Sequence, residues 1–181
     1  MDKKLKDLFQ DYINTEIQPL IDYVNGFAIE IGVIDGVSKD SRDKKDKTDK
    51  SEDGVSNSEL LFIHEQGSYI RHIPPRPVLV YTMEDMYNNK DSPYHYYMDL
   101  ILDGIIYKNW KKKEIDEAIN RLGVEIVKYA KELISNRDSR FAPNAPATIK
   151  AKSKNGKLSD IPLSDTNQLK RAITYRIIKK N

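Results

Sequence analysis

Residues 27–36, FAIEIGVIDG, decide the fold class of this chain. Apolar side chains alternate with other residues along the segment, which is typical of a strand that buries one face. Asn25-Gly26 before the segment ends a helix, and Asp35-Gly36 after it forms a turn. The segment therefore predicts a strand whose apolar side chains share one side: Phe27, Ile29, Ile31 and Val33.

The residues before this strand predict an amphipathic helix. Apolar side chains recur there at spacings of three and four, which places them on one helical face. Pro19 cannot donate a backbone hydrogen bond, so we expect it to kink or split the helix. The residues of the apolar face are Leu5, Leu8, Phe9, Tyr12, Ile13, Ile17, Leu20, Ile21 and Val24.

Two further helices are predicted in the middle of the chain, and their apolar faces are expected in the core. Ser92-Pro93 supplies a cap and a first-turn proline for the earlier one. Residues 78–89, VLVYTMEDMYNN, fit a strand or a helix that ends at Asn88-Asn89. The earlier face comprises Tyr94, Tyr97, Met98, Ile101, Leu102, Ile105 and Ile106, and the later one Ile115, Ala118, Ile119, Leu122, Ile126, Val127, Ala130, Leu133 and Ile134.

The last part of the chain predicts loops, a short helix and a second strand. Asp165 or Ser164 is expected to cap the helix, which runs through Arg171. The residues that follow, AITYRII at 172–178, favour a strand that joins the sheet. The predicted fold class is therefore α+β, in which a small antiparallel sheet packs against amphipathic helices within a single domain, 1–181.

A charged segment interrupts this pattern at residues 37–57. Six basic and six acidic side chains lie between Lys39 and Asp53, and the only apolar residues of the segment are valines near its ends. Such a composition cannot bury enough apolar surface to offset the entropy lost on ordering. We expect a mobile, solvated, disordered loop.

Composition excludes several classes of protein. The 181 residues carry a net charge of +2, so the whole molecule is not a general polyanion binder. The absence of cysteine excludes disulfides, thiolate nucleophiles and cysteine-ligated metal sites. No apolar run is long enough to cross a membrane, and the charged start does not fit a signal peptide. We expect a soluble protein that is not exported.

The histidines do not form a recognisable catalytic or metal motif. His64 and Glu65 are adjacent, and His72 follows eight residues later, whereas a helical zinc site needs two histidines four residues apart. Neither a nucleophile elbow nor a phosphate-binding loop nor a dinucleotide fingerprint is present. We therefore expect no enzyme activity, metal or cofactor; a small metal-dependent hydrolase that uses these three residues is the least favoured hypothesis.

The same stretch, SELLFIHEQGSYIRHIPPRPVL at 58–79, predicts a rigid corner. Gly67 can adopt the positive φ that a sharp stop requires. Pro74, Pro75 and Pro77 hold the next segment extended. Arg76 offers a fixed fork of donors, which we expect to bind a carboxylate.

Two blocks of this sequence resemble a known family. IHEQG at 63–67, followed by IPPRPVL at 73–79, and FAPNAPATIKAKSKNGKLSDIPLSDTNQLKRAITYRI from residue 141 resemble patterns of the virion morphogenesis and tail-completion proteins of tailed bacteriophages, the Mu-type family. The matched positions are His64, Glu65, Gly67, Pro74, Arg76 and Pro77, and then Pro143, Asn144, Pro146, Thr148, Ile149, Lys150, Pro162, Leu163, Asp165, Thr166, Gln168, Leu169, Ile173 and Thr174.

The resemblance implies a non-catalytic structural protein of the neck or tail end of a phage or phage-tail-like particle, made in the bacterial cytoplasm. It implies a homo-oligomeric ring that joins adjacent neck, connector or tail proteins and has transient contact with packaged DNA. Asn167 replaces the usual glycine but also tolerates a left-handed backbone. Val78 replaces the usual Phe. The residues assigned to turns or assembly are His64, Glu65, Gly67, Pro74, Arg76, Pro77, Asp165, Thr166, Asn167 and Leu169.

The basic end of the chain supports an alternative function. From Arg137 onward there are eleven Lys or Arg residues against three Asp, a local charge of +8. Such a segment can neutralise nucleic-acid phosphates. The alternative is a nucleic-acid-binding module with contacts from Lys150, Lys152, Lys154, Lys157, Lys170 and Arg171. Self-assembly without DNA would distinguish the two hypotheses.

Overall fold

Two strands from opposite ends of the chain pair with each other. In the computed structural model, which describes residues 3–34, 55–154, 161–163 and 167–180, strand β1 (Phe27–Gly32) lies antiparallel to β2 (Thr174–Lys179). Phe27 is opposite Lys179, and Gly32 is opposite Thr174. The predicted α+β class, with a small antiparallel sheet against amphipathic helices, is confirmed. Val33 lies just beyond the strand, and the predicted turn at Asp35-Gly36 is outside the described residues.

Helices make up most of the described chain. They are α1 (Lys3–Tyr12), a π-helical turn (Ile13–Ile17), α2 (Gln18–Asn25), α3 (Asn57–Gln66), α4 (Val78–Asn88), α5 (Pro93–Tyr107), α6 (Lys112–Ser135), α7 (Pro146–Lys154) and α8 (Gln168–Ala172).

Pro19 splits the first helix as its chemistry predicts. It occupies the first turn of α2, and the widened π-helical turn lies immediately before it. The backbone amide of Gln18 donates to the carbonyl of Ile13, five residues earlier. A proline here would clash with the carbonyl four residues earlier in a regular α-helix, so the wider turn accommodates the ring.

Helix α6 is the centre of the fold. It packs against α4, α5 and both strands, and its buried face matches the predicted apolar periodicity. Gly123 extends this face, because a Cβ there would lie 2.4 Å from the Tyr175 ring. The sheet can therefore approach the helix closely. The buried residues of α6 are Ile115, Ala118, Ile119, Leu122, Gly123, Ile126, Val127, Ala130, Leu133 and Ile134.

Residues 78–88 form a helix rather than a strand. Val78, Thr82 and Met86 are buried at spacings of four, so one helical face is in the core. The Thr82 hydroxyl donates to the carbonyl of Val78 at 2.7 Å. Burial of this face against the core decides between helix and strand, which the apolar periodicity of so short a segment could not do.

Helix α5 differs from its predicted form in two respects. Ser92 occupies the N-cap position before Pro93, but its hydroxyl donates to the carbonyl of Met86 at 2.5 Å instead of capping α5. Leu102 and Ile106, which were expected in the core, are exposed, whereas Ile101 and Ile105 are buried. The helix is thus apolar on two faces, and the described part of the chain covers only one of them.

The predicted charged loop ends earlier than expected. Ser56 is the N-cap of α3, and a capping box joins it to Glu59. Asn57, in the first turn, is buried. Residues 55–57 are therefore part of the folded domain, and the remainder of the predicted loop, 37–54, lies outside the described residues.

Candidate functional site

A sharp corner lies between α3 and α4, where the first block of the family resemblance falls. Gly67 ends α3 with a φ of 75°. Ser68 and Ile73 then form an antiparallel bridge, and the amide of Arg76 donates to the carbonyl of His64 at 2.6 Å. A Cβ on Gly67 would lie 3.0 Å from both the Ile73 carbonyl and the Pro75 ring. The predicted corner, and the need for glycine at its start, are confirmed.

Glu65 caps the next helix across this corner. Its carboxylate accepts a hydrogen bond from the amide of Leu79 at 2.8 Å, in the first turn of α4. Burial raises the pKa of the Glu65 carboxyl, and the amide hydrogen bonds from Leu79, Val80 and Val78 oppose that change. Pro77 precedes α4 and provides no side-chain cap, so Glu65 satisfies an amide that would otherwise lack an acceptor.

Arg76 joins the corner to the second block of the resemblance. It is only 5% exposed. Its Nε donates to the carbonyl of Ala142 at 2.7 Å, and its Nη2 donates to the carbonyl of Pro143 at 2.8 Å. Burial lowers the pKa of the guanidinium. The expected carboxylate partner is wrong: the fork of donors binds two backbone carbonyls, because the segment at 142–143 turns its carbonyls toward the corner.

A second arginine, Arg140, joins the same segment to α4. Arg140 donates to both carboxylate oxygens of Asp85, at 2.8 and 2.6 Å, and also to Asp138. Its guanidinium lies 4.4 Å from the centre of the Tyr81 ring, which stacks on Phe141. Sequence reasoning did not find this cluster, because residues 85 and 140 are distant in sequence and only the tertiary fold brings them together.

The Asp85 carboxylate has a further partner in α6. Tyr129 donates its hydroxyl to Asp85 Oδ2 at 2.8 Å. The hydrogen bond from Arg140 lowers the pKa of Asp85, although partial burial opposes it. Burial and the neighbouring carboxylate raise the pKa of the Tyr129 hydroxyl. Together these groups connect α4, α6 and the segment that leads to α7.

The end of the second block packs against α3, the helix that leads into the corner. Asn167 has a φ of 59°, so the expected left-handed backbone is confirmed. Asn167 occupies the N-cap position of α8 but makes no side-chain capping hydrogen bond; the predicted caps, Asp165 and Ser164, lie with Thr166 outside the described residues. Leu169 is buried where α8 meets α3. A substitution at Leu169 therefore tests folding before it tests assembly.

The basic residues proposed for nucleic acid differ in accessibility. Lys152 is only 7% exposed, and its ammonium donates to the carbonyl of Ile161 at 2.9 Å, so its assignment as a phosphate contact is wrong. Lys170 is half-buried and donates to the Ser135 hydroxyl at 3.2 Å. Lys150 and Arg171 are exposed. The side chain of Lys154, and Lys157 as a whole, lie outside the described residues.

The histidines occupy separate places. His64 belongs to α3, His72 to the turn beyond it with a φ of 50°, and a ring nitrogen of His95 lies 2.9 Å from the carbonyl of Tyr87. Within the described residues, no group of three or more His, Cys, Asp or Glu side chains is arranged to hold a metal ion. Among the helices that the structure describes, none has the length and apolar character to span a bilayer.

The structure thus brings the two sequence blocks together at one corner. Arg76 holds the start of the second block, and α8, near its end, packs on α3. The charged groups Glu65 and Arg76 both bind backbone groups, so their function at this site is to fix the path of the chain. Comparison of the chain with protein-family models, with curated proteins and with solved structures gave no match in any of the three.

Proposed function

We propose that this chain is a non-catalytic structural protein of the neck or tail end of a phage or phage-tail-like particle. In this proposal it forms a homo-oligomeric ring that joins or completes the tail, between adjacent neck, connector or tail proteins. The observation that carries the proposal is the contact of Arg76 with the carbonyls of Ala142 and Pro143. Arg76 and Ala142 belong to the two blocks that resemble the virion morphogenesis family. They are 66 residues apart in sequence, yet this hydrogen bond joins their blocks in one structural unit.

The chemistry of the corner favours a structural role over a catalytic one. A general acid or base must reach a reacting group. Glu65 instead accepts a hydrogen bond from a backbone amide of α4, and Arg76 donates its hydrogen bonds to backbone carbonyls. The Asp85–Arg140 pair likewise holds one segment to another. These interactions support a rigid surface, which suits a subunit that must fit between neighbours.

Deletion of the gene in a particle-producing strain tests this proposal. We expect negative-stain microscopy to show filled heads and separate tails, or tails of uncontrolled length. Wild-type protein supplied from a plasmid should restore complete particles and appear in them. Complete particles from the deletion strain, or rescued particles that lack the protein, would contradict a role in the virion.

Nucleic-acid binding remains the alternative function. Lys150 and Arg171 are exposed and fit it, whereas the burial of Lys152 removes one of its contacts. Purified protein that binds DNA with a steep salt dependence but stays monomeric without DNA would favour the alternative. Oligomers formed without DNA would favour the ring.

A further inference from the structure

We propose that α1 docks through its exposed apolar face onto the outer face of α5 in a second copy of this chain. The apolar residues of α1 line up at helical spacing but do not reach the core. Leu5, Leu8, Phe9 and Tyr12 are 57%, 60%, 61% and 49% exposed. None of the residues of α1 is buried by the described part of the chain. A helix with such a face normally buries it against a partner.

The helix is held in place for this contact by its continuation. The π-helical turn and α2 follow α1 directly, and Ile17, Leu20 and Val24 pack against the core formed by α5 and α6. A ten-residue helix is marginal on its own in water, so α1 depends on that continuation for its order. It extends about 15 Å as a pre-formed helical arm.

The outer face of α5 has the chemistry that α1 needs. Leu102, Ile106 and Tyr107 are 41%, 48% and 79% exposed. Asp99 and Asp103 are exposed on the same face, four residues apart. The face therefore combines an apolar stripe with two carboxylates.

Charge complementarity identifies the second copy as the occupant. The first turn of α1 carries Lys3 and Lys6 and no acidic residue, although Asp7 and Asp11 follow, so this end of the helix is opposite in sign to Asp99 and Asp103 on α5. Both halves of the contact are thus present in one chain, and α1 does not cover its own α5, since its own side chains are exposed. The segment 38–54 contains no apolar residue, so it cannot match the apolar face of α1.

The contact joins two different faces, so it can repeat from copy to copy. Such heterologous contacts close into a ring when the rotation between copies allows it. A stable interface usually buries about 800 Å² on each partner, more than one ten-residue helix provides, so we expect concentration-dependent association. This inference deepens the proposed function by naming the ring contact, but self-association is measured without any particle.

Sedimentation velocity of the purified full chain over a range of concentrations tests the contact. We expect wild-type oligomers, and about a tenfold or greater weakening of association with Phe9→Glu or Ile106→Glu, because each places a carboxylate in the apolar contact. Phe62→Glu is the matched control, since Phe62 on α3 is 67% exposed and lies outside both faces. It should associate like wild type. Wild-type protein that stays monomeric throughout would overturn the inference.

A pairing experiment then identifies the two faces. The chain has no cysteine, so in a mixture of one copy with Leu8→Cys and another with Ile106→Cys the introduced thiols are the only ones, and the yield of the mixed disulfide, separated from the two homodisulfides, reports the contact. We expect a mixed disulfide from this pair and much less from Leu8→Cys with Phe62→Cys. Equal yields from both pairs would refute the α1–α5 contact. If self-association fails while gene deletion still disrupts particles, the docking inference falls and the proposed role in the virion stands.

Discussion

At the scale of single residues, the charged side chains at the corner stabilise the backbone. Arg76 satisfies two carbonyls that lie far from it in sequence, and Glu65 satisfies an amide at the start of α4. A buried backbone group without a partner costs about 1–3 kcal/mol. These two residues therefore determine how the segments at 78 and 142 can approach each other.

Arg76→Ala should lower the free energy of unfolding by about 3 kcal/mol, because it leaves the carbonyls of Ala142 and Pro143 without their donor. Urea unfolding followed by circular dichroism measures the change. Arg71→Ala is the matched control, since Arg71 is exposed in the same turn region, and it should stay within about 0.5 kcal/mol of wild type. Equal effects of the two substitutions would contradict the clamping role of Arg76.

The Asp85 carboxylate should make stability depend on acid. Arg140 holds the pKa of Asp85 below its ordinary value, so the folded state binds this proton less readily than the unfolded state. The resulting stability is present above the unfolded pKa, about 4, and is lost as the pH falls through the lower folded value. Asp85→Asn should be less stable at pH 7 and should lose less stability on acidification.

Urea midpoints from pH 7 to pH 2 measure this difference. Asp91→Asn, at an exposed position, controls for the loss of a carboxylate as such. If Asp85→Asn and wild type lost stability in parallel as the pH falls, the Asp85–Arg140 pair would not be the source of the acid dependence.

At the scale of elements, the sheet depends on close approach to α6. Gly123 lies under the Tyr175 ring, and the apolar side chains of both strands pack on the same helix. Two strands alone are marginally stable in water. The helix therefore supplies the surface that keeps β1 and β2 paired.

Gly123→Ala should cost about 2 kcal/mol despite the better helix propensity of alanine, because its Cβ would lie 2.4 Å from the Tyr175 ring. Thermal and urea unfolding measure the loss. Combining it with Tyr175→Ala tests the cause: in that background Gly123→Ala should be neutral or stabilising. A cost that persists without the ring would mean that the clash does not explain it.

At the scale of the whole molecule, the two ends of the chain contribute differently to the fold. Residues of β2 cover α6 and pair with β1, although 141 residues separate the two strands. Residues of α1, by contrast, pack only lightly on the described part of the chain. The C-terminal strand is required to close the core, whereas the N-terminal helix is available for a partner.

Removal of residues 174–181 should therefore abolish a cooperative thermal transition, since it uncovers Ile29, Ile31 and the face of α6 beneath them. Removal of residues 1–12 is the matched truncation. It should leave the melting temperature of the monomer nearly unchanged while weakening self-association. A large loss of stability in the N-terminal truncation would show that α1 belongs to the folded core.

The sequence by itself determined the elements with strong local signals. The alternation from Phe27 to Ile31, the spacing along α6 and the break at Pro19 each follow from backbone geometry and side-chain burial, which a single segment carries. The positive φ at Gly67 and Asn167 was likewise predictable, because few residues tolerate it. The choice between strand and helix for residues 78–88 could not be predicted, since a short apolar segment fits both.

Only the tertiary structure decided which charged groups meet. Arg76 was identified from sequence, but its carbonyl partners 66 and 67 residues away were not, and the Asp85–Arg140 pair left no local pattern. It also decided that Lys152 is buried and that the apolar faces of α1 and α5 are exposed. Periodicity shows that a helix has an apolar face; whether this chain covers that face depends on contacts between distant segments, which no local sequence pattern encodes.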